Sequence, residues 1–459
     1  MRISPLRLGA PAAAFLLAAC GGSGGALLPR APGLEPQTAP VRSPIKHVVL
    51  LVQENRTFND FFATYPGADG TTTGKVAKDP ACGIRRAQTI SLRKSKLVIP
   101  RDLNHSYQGY SAALDGGKLD GFDRVVSQKT GAPECKFPYQ YTDPSQIRPY
   151  WDMAEQYTLA EHMFTTQGSS SFVAHQDLIR GGTQIDPTHS LVNDPTGSPW
   201  GCDAPPGTTT SLITKDDVLE ENKGPAPCTK AFPGSYPTLR DLLDAKNVSW
   251  KYYVLPLNKN FGGLMTAFDV IAPVRYGPEW KSNIVTPQTR IFRDIAKHEL
   301  AAVSWVIPDE PDSDHPADPV DDGPSWVASI VNAIGQSRYW DSTAIVVVWD
   351  DWGGLYDNLP PKRVGFGGLG FRVPALIVSP YARPGHISKT AYQFGSILRF
   401  IEDNWNLGRL GTSDTRAKSI IDSFDYSQRP IKFRKIPSSR SPEYFTRRPP
   451  SGLPIDDDM

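Results

Sequence analysis

Five short apolar runs recur along the chain, and each is nearly continuous rather than alternating. They are rich in Val and Ile and lie at residues 45–52, 250–255, 301–307, 343–349 and 373–378. Strands that are covered on both faces show this pattern. The runs therefore predict buried strands of a sheet that is largely parallel.

Segments with helical spacing of apolar residues lie between these runs, at residues 237–245, 325–334 and 394–404. Strands that alternate with helices predict an α/β fold. We expect one large domain over residues 45–427, built as a three-layer sandwich with helices on both faces of the sheet. In such sheets, ligands bind beyond the carboxyl ends of the strands.

The first 44 residues differ from the rest. Arg2 and Arg7 precede an apolar run at residues 10–19 that is too short to span a bilayer, and small residues lead to Cys20. This is typical of a bacterial lipoprotein signal over residues 1–20, although an ordinary signal peptide with an incidental cysteine has a similar pattern. Residues 21–44 are rich in Gly, Pro, Ala and Ser and predict a flexible tether.

Export through such a signal predicts a protein of the cell envelope, held at a membrane by a lipid on Cys20, or a secreted protein. The envelope position would be the periplasm or the face of the outer membrane. No later apolar run approaches the length of a transmembrane helix. Residues 428–459 are rich in Arg, Lys, Pro and Ser and predict a C-terminal tail that wraps the surface or is partly disordered.

Four cysteines remain after Cys20, in or beside the long irregular stretches at residues 65–100 and 186–233. An even number in an exported chain favours disulfides, and the absence of a CxxC pair argues against a zinc site. Three pairings are possible. The two local bridges, Cys82–Cys135 and Cys202–Cys228, are preferred.

The chain carries a formal net charge of +1, and 21% of its residues are charged. Since nucleic-acid-binding proteins usually show a basic stripe or a strongly basic balance, nucleic acid is not expected as a partner.

Two of the predicted strands run directly into acidic and amide side chains. Glu54 and Asn55 follow the first run, and Asp350 and Asp351 follow the fourth. Such carboxylates are costly to group unless a cation neutralises them, and oxygen ligands suit Ca²⁺, Mg²⁺ or Mn²⁺. Asn and Asp after a strand also cap turns and helices, so each pair has a purely structural interpretation.

A run of serines at residues 169–171 leads into a helix-like segment. Serine at a helix N-terminus is commonly an N-cap, but it can also be a nucleophile, because backbone N–H groups and the helix dipole favour a phosphate beside it. The G-x-S-x-G motif of serine esterases is absent, so a Ser-His-Asp acyl hydrolase is not indicated.

Two histidines, His105 and His315, lie in aspartate-rich segments. Histidine can hold a phosphoryl oxygen or protonate a leaving oxygen. A histidine in a loop is often merely exposed, so the residues alone leave both interpretations open.

Together these segments resemble the bacterial phosphoesterase family of phospholipases C and acid phosphatases, within the alkaline-phosphatase-like superfamily. The resemblance extends from about residue 45 to residue 410 in the order of the family. It rests on HVVLLVQENRTF at 47–58, DLNH at 102–105 with GGKLDGF at 116–122, YW at 150–151 with YTLA at 157–160, SFVAHQ at 171–176, DHP at 314–316, VWDDWGGLYD at 348–357, RVPA at 372–375 and ILRFIE at 397–402.

The resemblance implies an alkaline-phosphatase-like fold and hydrolysis of phosphomonoesters or phosphodiesters, phospholipids included, by a monomer. Ser171 would be the nucleophile and would form a phosphoserine, with His105 and His315 contacting phosphoryl oxygens or protonating the leaving group. One divalent metal ion would be held by four residues and would activate the serine. These ligands are Glu54, Asn55, Asp350 and Asp351.

The chain departs from the family pattern at two positions that bear on the choice of leaving group, because Asn358 and Phe394 stand where the family often has His. A slip by one residue would also exchange Ser171 for Ser170. Two other functions remain as alternatives: a sulfatase-like or phosphonate hydrolase, and a catalytically inactive, lipid-anchored binding protein. The chain lacks the Cys/Ser-x-Pro-x-Arg motif of sulfatases.

Overall fold

A central eight-stranded sheet organises the computed structural model, which describes residues 43–257, 265–317, 320 and 322–453. The predicted signal, Cys20 and the tether up to residue 42 lie outside this part of the chain. The strands are β1 (His47–Gln53), β2 (Thr158–Ala160), β3 (Trp250–Tyr253), β4 (Ile284–Val285), β5 (Val303–Val306), β6 (Thr343–Trp349), β7 (Ala375–Val378) and β8 (His386–Ser388).

The spatial order of the strands is β4-β3-β5-β1-β6-β7-β2-β8. All of them run in one direction except β7, which is antiparallel to both of its neighbours. The predicted, mostly parallel central sheet is therefore confirmed. Its carboxyl ends meet at one edge, where the polar segments that follow β1 and β6 also lie.

Two groups of helices cover the sheet, and every residue of β6 is buried, as expected for a strand with both faces covered. Helices α3, α8, α9 and α12 form one group, and α4, α5, α10 and α11 form the other. The helices are α1 (Phe58–Phe62), α2 (Tyr107–Leu114), α3 (Arg148–Gln156), α4 (Ser171–Arg180), α5 (Leu239–Ala245), α6 (Ala272–Arg275), α7 (Glu279–Ser282), α8 (Arg290–Ala296), α9 (Gly323–Gly335), α10 (Phe394–Trp405), α11 (Ser413–Arg416) and α12 (Pro442–Arg447).

The prediction of one continuous strand at residues 373–378 is wrong. Pro374 interrupts it, since proline has no N–H to donate to a ladder. Arg372–Val373 instead pairs with Met163–Phe164 in a separate three-stranded sheet, and only β7 joins the central sheet. The remaining strands are Thr73–Val76, Gln88–Ser91, Arg93–Ser95, Gln140–Thr142, His189–Val192, Ser211–Thr214, Leu219–Glu220 and Tyr392–Gln393.

The preferred disulfide pairing is confirmed, because Cys82 is bonded to Cys135 and Cys202 to Cys228. The bridge Cys202–Cys228 lies within the irregular stretch at residues 186–233, and Cys82–Cys135 ties the stretch at residues 65–100 to the segment that follows α2. None of the described helices has both the length and the apolar character that crossing a bilayer requires.

The C-terminal segment (residues 428–453) packs against the domain. Ile436 is fully buried and exchanges two hydrogen bonds with the side chain of Asn332 in α9. Arg448 then forms ion pairs with three buried aspartates from the region that follows β5: Asp309, Asp312 and Asp322. The segment thus ties down the loop that carries His315.

Arg448→Met should destabilise the protein by about 3 kcal/mol, since the buried Asp309 and Asp312 lose their cation, whereas Asp322 keeps its ion pair with Arg440. Burial raises the pKa of Asp312 to about 8, against the opposing effect of Arg448. The folded form therefore keeps a proton on Asp312 up to about pH 8, whereas the unfolded chain loses it near pH 4. The free energy of unfolding therefore falls as the pH rises from about 4 to about 8. The loss in melting temperature should be larger at pH 8 than at pH 5. Arg447→Met, at an exposed position, is the control and should melt like the wild type at both pH values.

Candidate active site

The two predicted strand ends lie side by side. Strands β1 and β6 are direct neighbours, with Gln53 opposite Trp349. The four residues that follow them are fully buried. They are Glu54, Asn55, Asp350 and Asp351. The parallel pairing of β1 and β6 therefore brings together two pairs of side chains that are almost 300 positions apart in the sequence.

Tight backbone geometry positions these residues. Asn55 adopts a left-handed conformation with a φ of 47°, which Asn tolerates better than most residues. Gly353 has a φ of 56°, and a Cβ there would lie 2.3 Å from the Asn55 carbonyl oxygen. A side chain at Gly353 would thus push the two strand ends apart, which explains why glycine follows Asp351-Trp352.

Ser171 is the first residue of α4, and its hydroxyl faces the strand ends. The Ser171 hydroxyl donates to Asp351 Oδ2 over 3.1 Å. By contrast, Ser169 Oγ accepts from the Asn193 N–H, and Ser170 Oγ is buried without a hydrogen-bond partner among the described residues. Of the three consecutive serines, Ser171 is the one whose hydroxyl contacts Asp351.

His175 belongs to the same group of side chains, although the sequence analysis did not select it as a site residue. Its Nε2 lies 3.2 Å from Glu54 Oε1 and 3.8 Å from Asp350 Oδ2. Residues four apart share one helix face, so Ser171 at the start of α4 implies that His175 also faces the strand ends. That periodicity was the signal by which His175 could have been found.

His105 and His315 reach the site from two loops. Their Nδ1–H groups donate to backbone carbonyls, His105 to Leu103 over 2.7 Å and His315 to Pro316 over 2.6 Å. Each ring therefore presents Nε2 to the site. One terminal atom of the Asn55 amide lies 3.1 Å from both Nε2 atoms.

The loop of His315 is anchored to the core through the preceding residue, Asp314. Its Oδ2 accepts hydrogen bonds from Tyr150 (2.6 Å), Trp349 (3.2 Å) and Gln53 (3.3 Å). Burial raises the pKa of Asp314 to about 6 although these donors and Arg56 oppose the shift. Since Gln53 and Trp349 end β1 and β6, the same two strands hold the carboxylates and the His315 loop.

The chemistry of this group fits a bound cation. The other terminal atom of the Asn55 amide lies 2.9 Å from Asp350 Oδ1 and 3.1 Å from Glu54 Oε2. An amide nitrogen at this position donates to both carboxylates, whereas an amide oxygen there would share a cation with them. Asp350 Oδ2 is buried and accepts no hydrogen bond from the described part of the chain. Three buried carboxylates without a cation would repel one another strongly.

The two positions at which the chain departs from the family pattern have local structural partners. Asn358 donates to the Asp69 carbonyl oxygen and accepts from Arg372. Phe394 is fully buried at the start of α10. Both side chains serve packing or local hydrogen bonding in this protein.

Comparison with known proteins identifies the class. The model of the phosphoesterase family matches residues 45–408, which is most of the chain. The chain belongs to this family and is a hydrolase that acts on phosphoric esters, as the sequence predicted.

Several curated relatives are phospholipases C. "Phospholipase C A" of Mycobacterium tuberculosis is 25% identical over 412 residues, a match that covers 78% of this chain and 72% of that protein. "Non-specific phospholipase C3" of Arabidopsis thaliana is 25% identical, covering 75% of this chain and 65% of the relative. "Non-hemolytic phospholipase C" of Pseudomonas aeruginosa is 22% identical, covering 79% and 54%.

Among solved structures, the chain is similar to a protein in the alkaline phosphatase superfamily from Vibrio parahaemolyticus. The TM-score is 0.38 at 11% identity, and the match covers 84% of this chain and 74% of the other.

Proposed function

We propose that this protein is a metal-dependent phosphoesterase in which Ser171 is the nucleophile. The observation that supports this most strongly is the contact between the Ser171 hydroxyl and Asp351 Oδ2 at 3.1 Å, beside the joined ends of β1 and β6. Ser171 also begins a ten-residue helix, whose N-terminal dipole favours a phosphate group next to the hydroxyl.

The residues that would hold the cation are Glu54, Asn55, Asp350 and Asp351, joined by His175. When bound there, a divalent cation would neutralise the buried carboxylates and lower the pKa of a hydroxyl beside it. The imidazole of His175 makes the ligand set mixed rather than purely oxygen-based. This favours Mn²⁺ or Zn²⁺ over Ca²⁺, and it adds Zn²⁺ to the ions expected from the sequence.

In this proposal the Ser171 oxygen attacks the phosphorus atom, and the ester oxygen leaves. The resulting phosphoserine is then hydrolysed by water, which returns the free serine and releases phosphate or a phosphomonoester. The Nε2 atoms of His105 and His315 lie on the same side of Asn55 and would hold phosphoryl oxygens or give a proton to the leaving oxygen. The other contributions to catalysis would be the positioning of the substrate and the neutralisation of charge on its phosphoryl group, which are the main requirements of phosphoryl transfer.

We propose phospholipids as the substrate class, on the basis of the relatives named phospholipase C. The assay compares p-nitrophenyl phosphate with p-nitrophenyl phosphorylcholine, with and without chelator. Faster release from the phosphorylcholine ester, lost in chelator and restored by Mn²⁺ or Zn²⁺, is the expected result. Preference for the simple phosphate would indicate a monoesterase. No release from either ester by folded, metal-loaded protein would contradict the proposal.

His175→Gln should weaken binding of the activating metal about 10- to 100-fold, since the variant loses a nitrogen next to Glu54 and Asp350. Activity should return at high metal concentration, which separates a lost ligand from a lost fold. The measurement is a titration of activity against free Mn²⁺ or Zn²⁺. A variant with wild-type metal dependence would show that His175 only packs against the carboxylates.

We further propose that the enzyme acts outside the cytoplasm, anchored through a lipid on Cys20. The two disulfides support this, because such bonds persist in oxidising compartments. Labelling of cells with radioactive palmitate should mark the wild-type protein and leave Cys20→Ser unlabelled. Equal labelling of both would exclude Cys20 as the lipid site.

A further inference from the structure

We propose that Asp69, Glu161 and His162 form a second divalent-cation site, separate from the proposed catalytic centre and suited to an ion such as Zn²⁺ that accepts mixed nitrogen and oxygen ligands. One potential ligand atom from each residue lies within 4.8 Å of the others. The inference does not depend on the proposed function, since it rests on different residues.

One strand end and one loop bring the three residues together, and the neighbouring strand places Lys389 beside them. Glu161 and His162 follow β2, and Lys389 follows β8, which pairs with β2 in parallel. Asp69 comes from the loop after α1, where its backbone N–H donates to Glu161 Oε2 over 2.7 Å. An ion at this point would therefore link the loop to one end of the central sheet.

The distances suit direct ligation. His162 Nε2 lies 3.0 Å from Asp69 Oδ2 and 3.8 Å from Glu161 Oε1. Zinc bonds to N and O ligands are about 2.0–2.2 Å long, so two ligand atoms of a tetrahedral site lie about 3.4 Å apart. The observed distances bracket this value, and shifts of a few tenths of an ångström would complete the geometry.

The orientation of the His162 ring points to a cation as well. Its Nδ1–H donates to the Lys389 carbonyl oxygen over 3.1 Å. In the neutral imidazole, Nε2 then carries a lone pair that faces two carboxylates. That arrangement is repulsive unless the ring is doubly protonated or a cation lies between the groups. Metal-binding histidines are commonly oriented in this way, by a backbone carbonyl behind the ring.

Glu161 provides a second, independent indication. Its side chain is fully buried, and Oε1 points toward His162 and has only the His162 ring and the ammonium group of Lys389 as charged partners within the described residues. The ammonium group of Lys389 lies 3.4 Å from both Glu161 Oε1 and Asp69 Oδ1. Because the Lys389 side chain is 60% exposed, it can swing into solvent when a divalent ion enters.

Zinc titration calorimetry on chelator-treated full-length protein tests the site. We expect two equivalents in the wild type and one in a Glu54→Gln/Asp350→Asn variant, which disables the proposed catalytic centre. Adding His162→Gln to that variant should remove the last equivalent, together with the rise in melting temperature that Zn²⁺ causes. Lys389→Met should tighten binding at this site about tenfold, since it removes a competing positive charge.

His189→Gln is the matched control, because His189 pairs with a single carboxylate, that of Asp186, at a partly exposed position. It should leave the stoichiometry unchanged. Asp69→Asn repeats the test at a more exposed ligand, should His162→Gln fail to fold. Zinc stoichiometry that is unchanged by both His162→Gln and Asp69→Asn would overturn the second site. If the wild type lacked only the zinc equivalent assigned to Glu54 and Asp350, the result would contradict the proposed function and leave the second site in place.

Discussion

Ser171→Ala is expected to lower kcat at least about 10⁴-fold, with a melting temperature close to that of the wild type. The substitution removes one oxygen at the start of α4 and leaves the helix and the strand ends in place. Stopped reactions should show the substrate's phosphoryl group on the peptide that contains residue 171 in the wild type, as phosphate from a monoester or as a headgroup phosphodiester from a phospholipid, and none in the variant. Mass spectrometry of acid-quenched enzyme measures this directly.

Ser170→Ala is the matched control for this experiment. Ser170 is equally buried and precedes the same helix, but its hydroxyl has no hydrogen-bond partner in the described structure. It should retain activity within a few-fold of the wild type. If Ser170→Ala were inactive and Ser171→Ala active, the nucleophile would be displaced by one residue. If both were active, the reaction would not use a serine at this helix.

Asp350→Asn should stabilise the folded protein when metal is absent and make it less stable than the wild type when metal is bound. In chelator the variant should melt above the wild type, because one of three grouped carboxylates has lost its charge. Through this site, metal at a hundred times its dissociation constant should add about 2.7 kcal/mol to the stability of the wild type and much less to that of the variant. Thermal melts of the wild type and of the variant, each with and without metal, give the four melting temperatures needed. Activity is measured on the same samples.

Asp357→Asn distinguishes this effect from a general loss of buried charge. Asp357 is also fully buried, but it pairs with the equally buried Arg372. Its loss should destabilise the protein both in chelator and in metal, because it leaves a buried guanidinium without its partner. An Asp350→Asn variant that behaves like Asp357→Asn would mean that no cation is held at the strand ends.

Long, strongly apolar strands could be located from the sequence, and short ones could not. The run at 343–349 coincides with β6, and the run at 45–52 differs from β1 by one or two residues at each end. Strands β2, β4 and β8 have only two or three residues, which leaves no periodicity to read. Their place in the sheet is determined by tertiary pairing. The direction of β7 is likewise a property of the chain connections and not of its composition.

The site was predictable where chemistry follows a strand directly. Glu54, Asn55, Asp350 and Asp351 were evident as polar residues at the ends of apolar runs, and the structure places them together. The prediction of His105 and His315 depended on the resemblance, since a histidine in an aspartate-rich loop is often merely exposed. The group of Asp69, Glu161 and His162 could not be predicted, because the strand before Glu161 has only three residues and the sequence does not show where it ends.

The position of β1 has a consequence for how the chain acquires its fold. It is the first of the described strands in chain order, yet its partners β5 and β6 are separated from it by hundreds of residues. Contacts between such distant segments form slowly and leave strand edges open until late. A chain terminated before residue 343 would lack one neighbour of β1 altogether and should aggregate rather than fold. The availability of the strands after residue 300, more than any early segment, should therefore control when this molecule first becomes compact.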